Sequence, residues 1–238
     1  METVKGKNIL IVGATGSIGS ALVHLLAASG AHLFLAGRNA SRLQALAEAQ
    51  GLPPGDFFSL DIADAAAVGL LKEKFFNRFS TIDILVNAAG TGIIKNMDSL
   101  TEADFLQTLQ ANLIGPFLLL KAFLPAMKEA KKGLIINIPG VLGKTPMAGA
   151  AAYSASKYGL TGMMQSIREE IKRTDIRITN LFLGGVDSAF WDNIDLRVQR
   201  EKMIQANEAA KAIWFLCQQP ASAVVSEMVL QPFNHQAI

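Results

Sequence analysis

The chain is poor in the residues that bind metals and form disulfides: among 238 residues there is one cysteine, Cys217, and three histidines, His24, His32 and His235. A single thiol excludes a disulfide within the chain. The histidines share no metal-ligand spacing with it or with one another, so no metal site is expected. A reducing compartment, the cytoplasm, fits that cysteine usage. An excess of one charge is also lacking. The 22 basic and 20 acidic residues leave a formal net charge of +2, with no basic block of the kind that follows a nucleic-acid backbone. The expected partner is a small molecule, with no nucleic acid and no membrane.

From Asn8 to Gly37 there is no Lys, Arg, Asp or Glu at all. That run follows Lys5 and Lys7 and contains Ala27-Ala-Ser-Gly-Ala31, the outline of a secretory signal. Against this, Gly13, Gly16 and Gly19 interrupt it where a signal or membrane helix needs continuity. A strand, a helix and a strand packed in one core would lack charges too, and that reading is favoured.

Half of the residues are apolar, enough to bury a full core in one domain spanning residues 1–238. Ile9-Leu-Ile-Val12 predicts a strand, Gly13-Ala-Thr-Gly-Ser-Ile-Gly19 a turn, Ser20 to Ser29 a helix ended by Gly30, and Leu33-Phe-Leu-Ala36 the next strand. Glycines at a strand-to-helix turn let the backbone approach a diphosphate, whose charge the helix N-terminus favours. Gly13, Thr15, Gly16, Ser17, Ile18 and Gly19 are therefore candidate cofactor-binding residues. At the end of the second strand, where a carboxylate would bind the adenosine ribose, stand Gly37 and Arg38. A guanidinium binds a 2′-phosphate that a carboxylate would repel, so NADPH is expected rather than NADH.

The alternation continues. Ser41 to Gln50 is helical with a serine cap, Asp56 to Leu60 a strand, Ala63 to Phe79 a helix, and Ile82 to Val86 a strand leading into Asn87-Ala-Ala-Gly90. This pattern predicts an α/β fold, a doubly wound parallel sheet with helices on both faces and ligands at the strands' carboxyl ends. Asp61, Asn87 and Gly90 fall at such ends, although Asp61 could equally cap the following helix. Thr101 opens another helix. The segment Leu109 to Met127 is apolar nearly all round, broken by Asn112 and Lys121, and is predicted to be buried on every side. A partner subunit would supply part of that burial, which predicts a homodimer or homotetramer. Asn112, inside such a helix, must find hydrogen-bond partners, as a structural group or as part of a proton relay.

Leu134-Ile-Ile-Asn-Ile138 predicts a buried strand stopping at Pro139-Gly140, and a helix is expected from near Ala150 to about Arg173. On it Tyr153 and Lys157 are four apart and share a face. A free phenol titrates near pH ~10, and a nearby ammonium favours its ionised form, so the pair can exchange a proton with a substrate oxygen. Ile176 to Phe182 is the next strand, leading into Leu183-Gly-Gly-Val-Asp-Ser188. Ala189 to Gln205, with Phe190 and Trp191, is expected to form a flap over the site. A helix from Glu208 to Gln218 and a strand from Glu227 to Leu230 follow.

Assembled in order, the glycine turn at Gly13 to Gly19, Asp61, Asn87-Ala-Ala-Gly90, Asn112, Ile135-Ile-Asn-Ile138, Tyr153-Ser-Ala-Ser-Lys157, and Gly184 with Val186-Asp-Ser188 resemble the short-chain dehydrogenase/reductase family over nearly the whole chain. The resemblance implies a single Rossmann-like domain that binds NAD(P)(H) and transfers hydride between the nicotinamide and a carbonyl or hydroxyl carbon. It implies that Tyr153 is the general acid/base, that Lys157 holds the nicotinamide ribose and lowers the tyrosine pKa, and that Asn112 orders a water beside the lysine. It also implies cofactor contacts at Asp61, Ile62, Asn87, Ala88, Gly90, Gly184, Val186 and Ser188. Three positions differ from the family pattern. The glycines are spaced GxxGxxG, more usual in the longer members that include epimerases, and Leu183 stands where proline is usual. Gly140 stands where the family has its catalytic serine, and losing one such donor typically costs on the order of a hundredfold in rate. A substrate group, a water, or a nearby hydroxyl such as Thr145 or Ser154 could stand in. The expectation is an NADPH-dependent carbonyl reductase for a small or medium apolar substrate. The alternative is a nucleotide-binding sensor or scaffold of little or no turnover, and an epimerase-like activity rests on the glycine spacing alone.

Overall fold

Parallel strands flanked by helices on both faces must be apolar on both faces, and the uncharged runs near the N-terminus fold accordingly. The computed structural model describes residues 1–194 and 196–234; His235 lies outside the described residues. The chain alternates β1 (Asn8–Val12), α1 (Ser17–Ala28), β2 (His32–Gly37), α2 (Ala40–Ala49), β3 (Phe57–Ser59), α3 (Ala65–Arg78) and β4 (Ile84–Asn87). It continues with α4 (Glu102–Leu109), α5 (Gly115–Ala130), β5 (Lys132–Asn137), α6 (Ala151–Ile171) and β6 (Asp175–Leu183). The short pair β7 (Val186–Asp187) and β8 (Ile204–Gln205) precedes α7 (Ala206–Cys217) and β9 (Glu227–Leu230).

Seven strands form one sheet in the order β3-β2-β1-β4-β5-β6-β9, every neighbouring pair parallel. The strand order reverses direction between β1 and β4, which opens a crevice at their carboxyl ends. One face is covered by α1, α2 and α7 through Leu22, Leu26, Leu43 and Ile213. On the other, α3, α5 and α6 bury Phe75, Phe123 and Met164. This is the doubly wound Rossmann-like sheet that the alternation predicts.

Several boundaries differ from expectation for local reasons. Helix α1 begins at Ser17 rather than Ser20, because Gly19 packs inside its first turn instead of in the preceding loop. The cap of α2 is Asn39, whose side chain accepts the Arg42 N–H, not a serine; Ser41 donates to that same Asn39 oxygen. The cap of α3 is Asp64, and Asp61 instead accepts the Ala63 N–H at 2.9 Å in the turn before it. Thr101 caps α4 as expected, in a reciprocal box with Asp104.

The apolar stretch around Asn112 is not buried on every side. A single wide π-helical turn at Gln110–Ile114 joins α4 to α5. Ile114 and Phe117 remain 37% and 44% exposed along this run, and Leu106 just before it 50%. Glu102–Ala130 is long and apolar enough to cross a bilayer, with a mean hydropathy of 1.3, but it packs on the sheet through Leu119, Leu120, Phe123 and Met127.

Candidate active site

At the carboxyl ends of β1, β4, β5 and β6 lies a cleft of about 920 Å³. Its nucleotide end is made of backbone. Gly13 takes φ +81°, and a Cβ on it would stand 2.6 Å from the Ala89 nitrogen, so strand end and loop are in direct contact. A Cβ on Gly19 would lie 2.2 Å from the Gly13 carbonyl. Gly16 caps α1 without a side-chain hydrogen bond, and the first turn carries no acidic residue. The free N–H groups there suit an anion, and the residues present fit a dinucleotide diphosphate. Arg38 lines the same end of the cleft, and among the described residues it makes no ion pair.

Of the residues singled out in the sequence, Gly16, Ser17, Ile18, Gly19, Arg38, Ala88, Gly90, Tyr153, Lys157, Gly184, Val186 and Ser188 line the cleft. Six stand behind or beside it. Gly13 and Thr15 support the turn, and Thr15 Oγ1 lies 3.4 Å from where a Gly37 Cβ would be. The Asp61 carboxylate is exposed, and Ile62 is buried against Gly115. Asn87 is buried and donates to Asn137 Oδ1 at 3.3 Å, a polar pair across β4 and β5.

Asn112 is also buried, held by the wide turn. It accepts from the Thr91 N–H at 2.9 Å and donates to the Thr91 carbonyl at 2.8 Å and to Ser156 Oγ at 3.1 Å. It therefore ties the loop after β4 to α6. A Cβ on Gly90 would stand 3.3 Å from Asn112 Oδ1 and 3.5 Å from Lys157 Nζ, so the loop runs close against both. Lys157 donates to the Ile138 carbonyl at 3.0 Å, and its ammonium lies 5.4 Å from the centre of the Tyr153 ring. The helical spacing thus brings Tyr153 and Lys157 together on the cleft side of α6.

Next to them, Gly140 takes φ +71° and ψ 168° at the end of the β5 loop. Thr145 lines the cleft, whereas Ser154 does not: its hydroxyl is buried with no hydrogen-bond partner among the described residues.

A family model of short chain dehydrogenases matches residues 7–199. The chain belongs to the short-chain dehydrogenase family. Sepiapterin reductase of Chlorobaculum tepidum is 31% identical over 94% of this chain and 95% of that one. The 3-oxoacyl-acyl-carrier-protein reductase of Rickettsia conorii is 30% identical over 96% of each chain. Among solved structures, an alcohol dehydrogenase from the archaeon Thermococcus sibiricus, complexed with 5-hydroxy-NADP, superposes with a TM-score of 0.88 at 28% identity, covering 98% of this chain and 100% of that one.

Within this short-chain dehydrogenase, an oxidoreductase of its family, the electrostatics of the pair differ from expectation. Burial pushes the Tyr153 phenol up, to about 12, and the Lys157 ammonium down, to about 8. Desolvation disfavours each charged form and outweighs the attraction of the ammonium for a phenolate. At neutral pH the phenol holds its proton and the lysine its charge.

The flap closes over Tyr153. The ring of Phe190 lies 5.7 Å from that of Tyr153 and packs on Gly92, where a Cβ would be 2.2 Å from it. Trp191 crosses Phe190 edge-on at 5.1 Å and donates its indole N–H to the Val186 carbonyl at 2.9 Å. Arg200 fastens the segment to Asp187 at 2.6 Å and to Asp192 at 2.7 Å. Sequence reasoning missed Thr91, Gly92, Met147 and Met203, which also line the cleft. The two-residue spacing of Gly90 and Gly92 was a signal for the second glycine; nothing marked the methionines.

Proposed function

We propose that the protein is an NADP(H)-dependent reductase that converts a carbonyl into an alcohol, the whole chain acting as one nucleotide-binding domain. The observation that carries this reading is the Tyr153–Lys157 pair, which lines one cleft together with Gly16 and Arg38. The first turn of α1 would take the diphosphate and Arg38 the 2′-phosphate, in keeping with the NADP analogue held by the Thermococcus sibiricus relative. Lys157 would hold the nicotinamide ribose, with Gly90, Gly184, Val186 and Ser188 around it. Bound NADPH supplies a hydride. Tyr153 gives the substrate oxygen its proton, and a phenol pushed up to about 12 is fully loaded for that step at neutral pH. Asn112 positions the loop carrying Gly90 and Thr91 against α6. The apolar lining from Ile94, Met147, Phe190, Trp191 and Met203 suits a small or medium apolar substrate.

The test is NADPH oxidation against a panel of aldehydes and ketones, with Tyr153→Phe as control. The variant should lose at least about a hundredfold in kcat; undiminished turnover would remove Tyr153 from the acid/base role. A second reading, a dinucleotide-binding sensor or scaffold, is favoured by the missing side chain at Gly140. It predicts a large NADPH-dependent rise in Tm with no carbonyl reduced. The exposed stripe of Leu106, Ile114 and Phe117 supports a homodimer or homotetramer. A monomeric mass by light scattering at micromolar concentration would overturn that part.

A further inference from the structure

Gly140 leaves an opening in the cleft wall beside Tyr153. Its φ of +71° with ψ of 168° is a conformation that only glycine adopts readily, so the opening is built into the backbone. A Cβ placed there would meet just two groups within 4 Å, and both are oxygens: the Leu183 carbonyl at 3.4 Å and the Tyr153 phenol at 4.0 Å. Leu183 lies at the end of β6. Because the Gly184 N–H bonds Leu230 on the β9 side, the Leu183 carbonyl faces the opposite side, toward β5, whose pairing with β6 ends at Asn137. That carbonyl can only accept a hydrogen bond.

We propose that this opening is a subsite for a hydroxyl on the carbon next to the reacting carbonyl, so that the preferred substrate is an α-hydroxy carbonyl compound and the product a vicinal diol. The inference rests on the reductase reading above. Oxygens on adjacent carbons lie within a hydrogen bond's length of each other, so a substrate whose carbonyl oxygen meets the Tyr153 phenol presents its neighbouring hydroxyl to the opening. There the hydroxyl donates to the Leu183 carbonyl. In the reduction a C–H bond forms by addition of hydride from NADPH to the carbonyl carbon, the carbon–oxygen π bond breaks, and the oxygen takes the Tyr153 proton. The neighbouring hydroxyl keeps its own proton and is unchanged. An acceptor-only group in that place would leave the Leu183 carbonyl unpaired and face it lone pair to lone pair, which is costly in a desolvated site.

The test compares NADPH-dependent reduction of 2-hydroxyacetophenone, 2-methoxyacetophenone and acetophenone by the full chain. The methoxy compound has a similar electron-withdrawing neighbour but no proton to donate. The hydroxy ketone should exceed both others in kcat/KM by about tenfold or more. Equal rates for the hydroxy and methoxy compounds, the result also expected if a water fills the opening, would overturn the subsite and leave the reductase standing. Reduction of none would overturn the reductase reading and the subsite with it. Gly140→Ala places a methyl group in the opening and should erase the preference; a preference that survives in that variant counts against the subsite. Should the strained variant not fold, Tm shifts of the unaltered protein with NADP decide. The vicinal diol 1-phenylethane-1,2-diol should raise Tm more than 1-phenylethanol at equal concentration, and equal shifts would overturn the proposal.

Discussion

At the nucleotide end of the cleft a Cβ on Gly19 would stand 2.2 Å from a backbone oxygen, whereas at the substrate end a Cβ on Gly140 would have 3.4 Å of room to its nearest neighbour. Both glycines are required by the fold, for opposite reasons. Gly19 lets one piece of main chain touch another, and nothing there can yield. Gly140 preserves a space, and the flap opposite it is held by ion pairs on the surface. One end is fixed by backbone contact and the other is shaped by what is missing.

The largest expected effect tests that contrast directly. Gly19→Ala should cost about 4 kcal/mol or more, or yield no folded protein, because only backbone can move to relieve the clash. Gly140→Ala meets no close contact and pays for its conformation alone, about 1–3 kcal/mol. Urea denaturation of both variants measures the difference. Equal losses would mean that the two glycines do the same job.

This contrast also decides what the sequence could reveal. The glycine turn, the uncharged strands and the four-residue spacing of Tyr153 and Lys157 are local patterns, and the fold and the core of the site follow from them. The start of α1 was hidden because Gly19 has poor helix propensity, and the contact that requires Gly19 in a helix is tertiary. The wide turn holding Asn112 leaves no mark in the hydrophobic pattern, since it alters backbone bonding rather than side-chain spacing. Ile114 and Phe117, exposed in the structure, read as core in the sequence for a related reason: apolar composition does not say what covers it. The raised Tyr153 pKa was invisible because spacing reports the nearby ammonium and not the desolvation of both groups. At Gly140 the sequence showed a missing hydroxyl, but only the backbone angles show that a serine restored there would be strained, so that low activity in Gly140→Ser would be ambiguous.

Between the two ends lies Lys157, only 4% exposed and charged at neutral pH. Its folded-state value of about 8 lies below the ordinary 10.5. The unfolded chain therefore binds more protons between those values. Stability should rise as pH goes from about 8 toward 10, before the Tyr153 phenol, raised to about 12, begins to act in the opposite sense as pH passes its ordinary value of 10. Below pH 8 the cost of burying the ammonium is fully present, about 3 kcal/mol. Lys157→Met should recover part of it, stabilising the protein at pH 7 by roughly 1–3 kcal/mol while removing most reductase activity. Denaturation at pH 7 and at pH 9.5 gives the check: the advantage of the variant should shrink at the higher pH, and a variant less stable at pH 7 would show that the charge is well compensated.

Arg38 belongs to the nucleotide end, but it acts through a side chain, so its loss should be felt in binding and not in folding. Arg38→Ala should raise the Kd for NADPH by about ten- to a hundredfold, the worth of one or two charge-assisted hydrogen bonds, and leave that for NADH nearly unchanged. Isothermal titration with both nucleotides reads this, and an equal loss for the two would separate Arg38 from the 2′-phosphate.

The smallest expected effect lies in the flap. Arg200 pairs with Asp187 and Asp192 and donates to the Ser188 carbonyl at 3.1 Å, all at the exposed surface. Such pairs contribute at most about 1 kcal/mol to stability, so Arg200→Ala should barely move Tm. The same contacts hold the turn that carries Phe190 onto Tyr153, so KM for a ketone should rise a few-fold with kcat little changed. Because surface pairs are screened, raising salt to about 1 M should push the unaltered enzyme toward the variant's KM and leave the variant insensitive. If instead Arg200→Ala melted as early as Gly19→Ala, the flap would be part of the rigid frame, and the division between a fixed nucleotide end and an adaptable substrate end would fail.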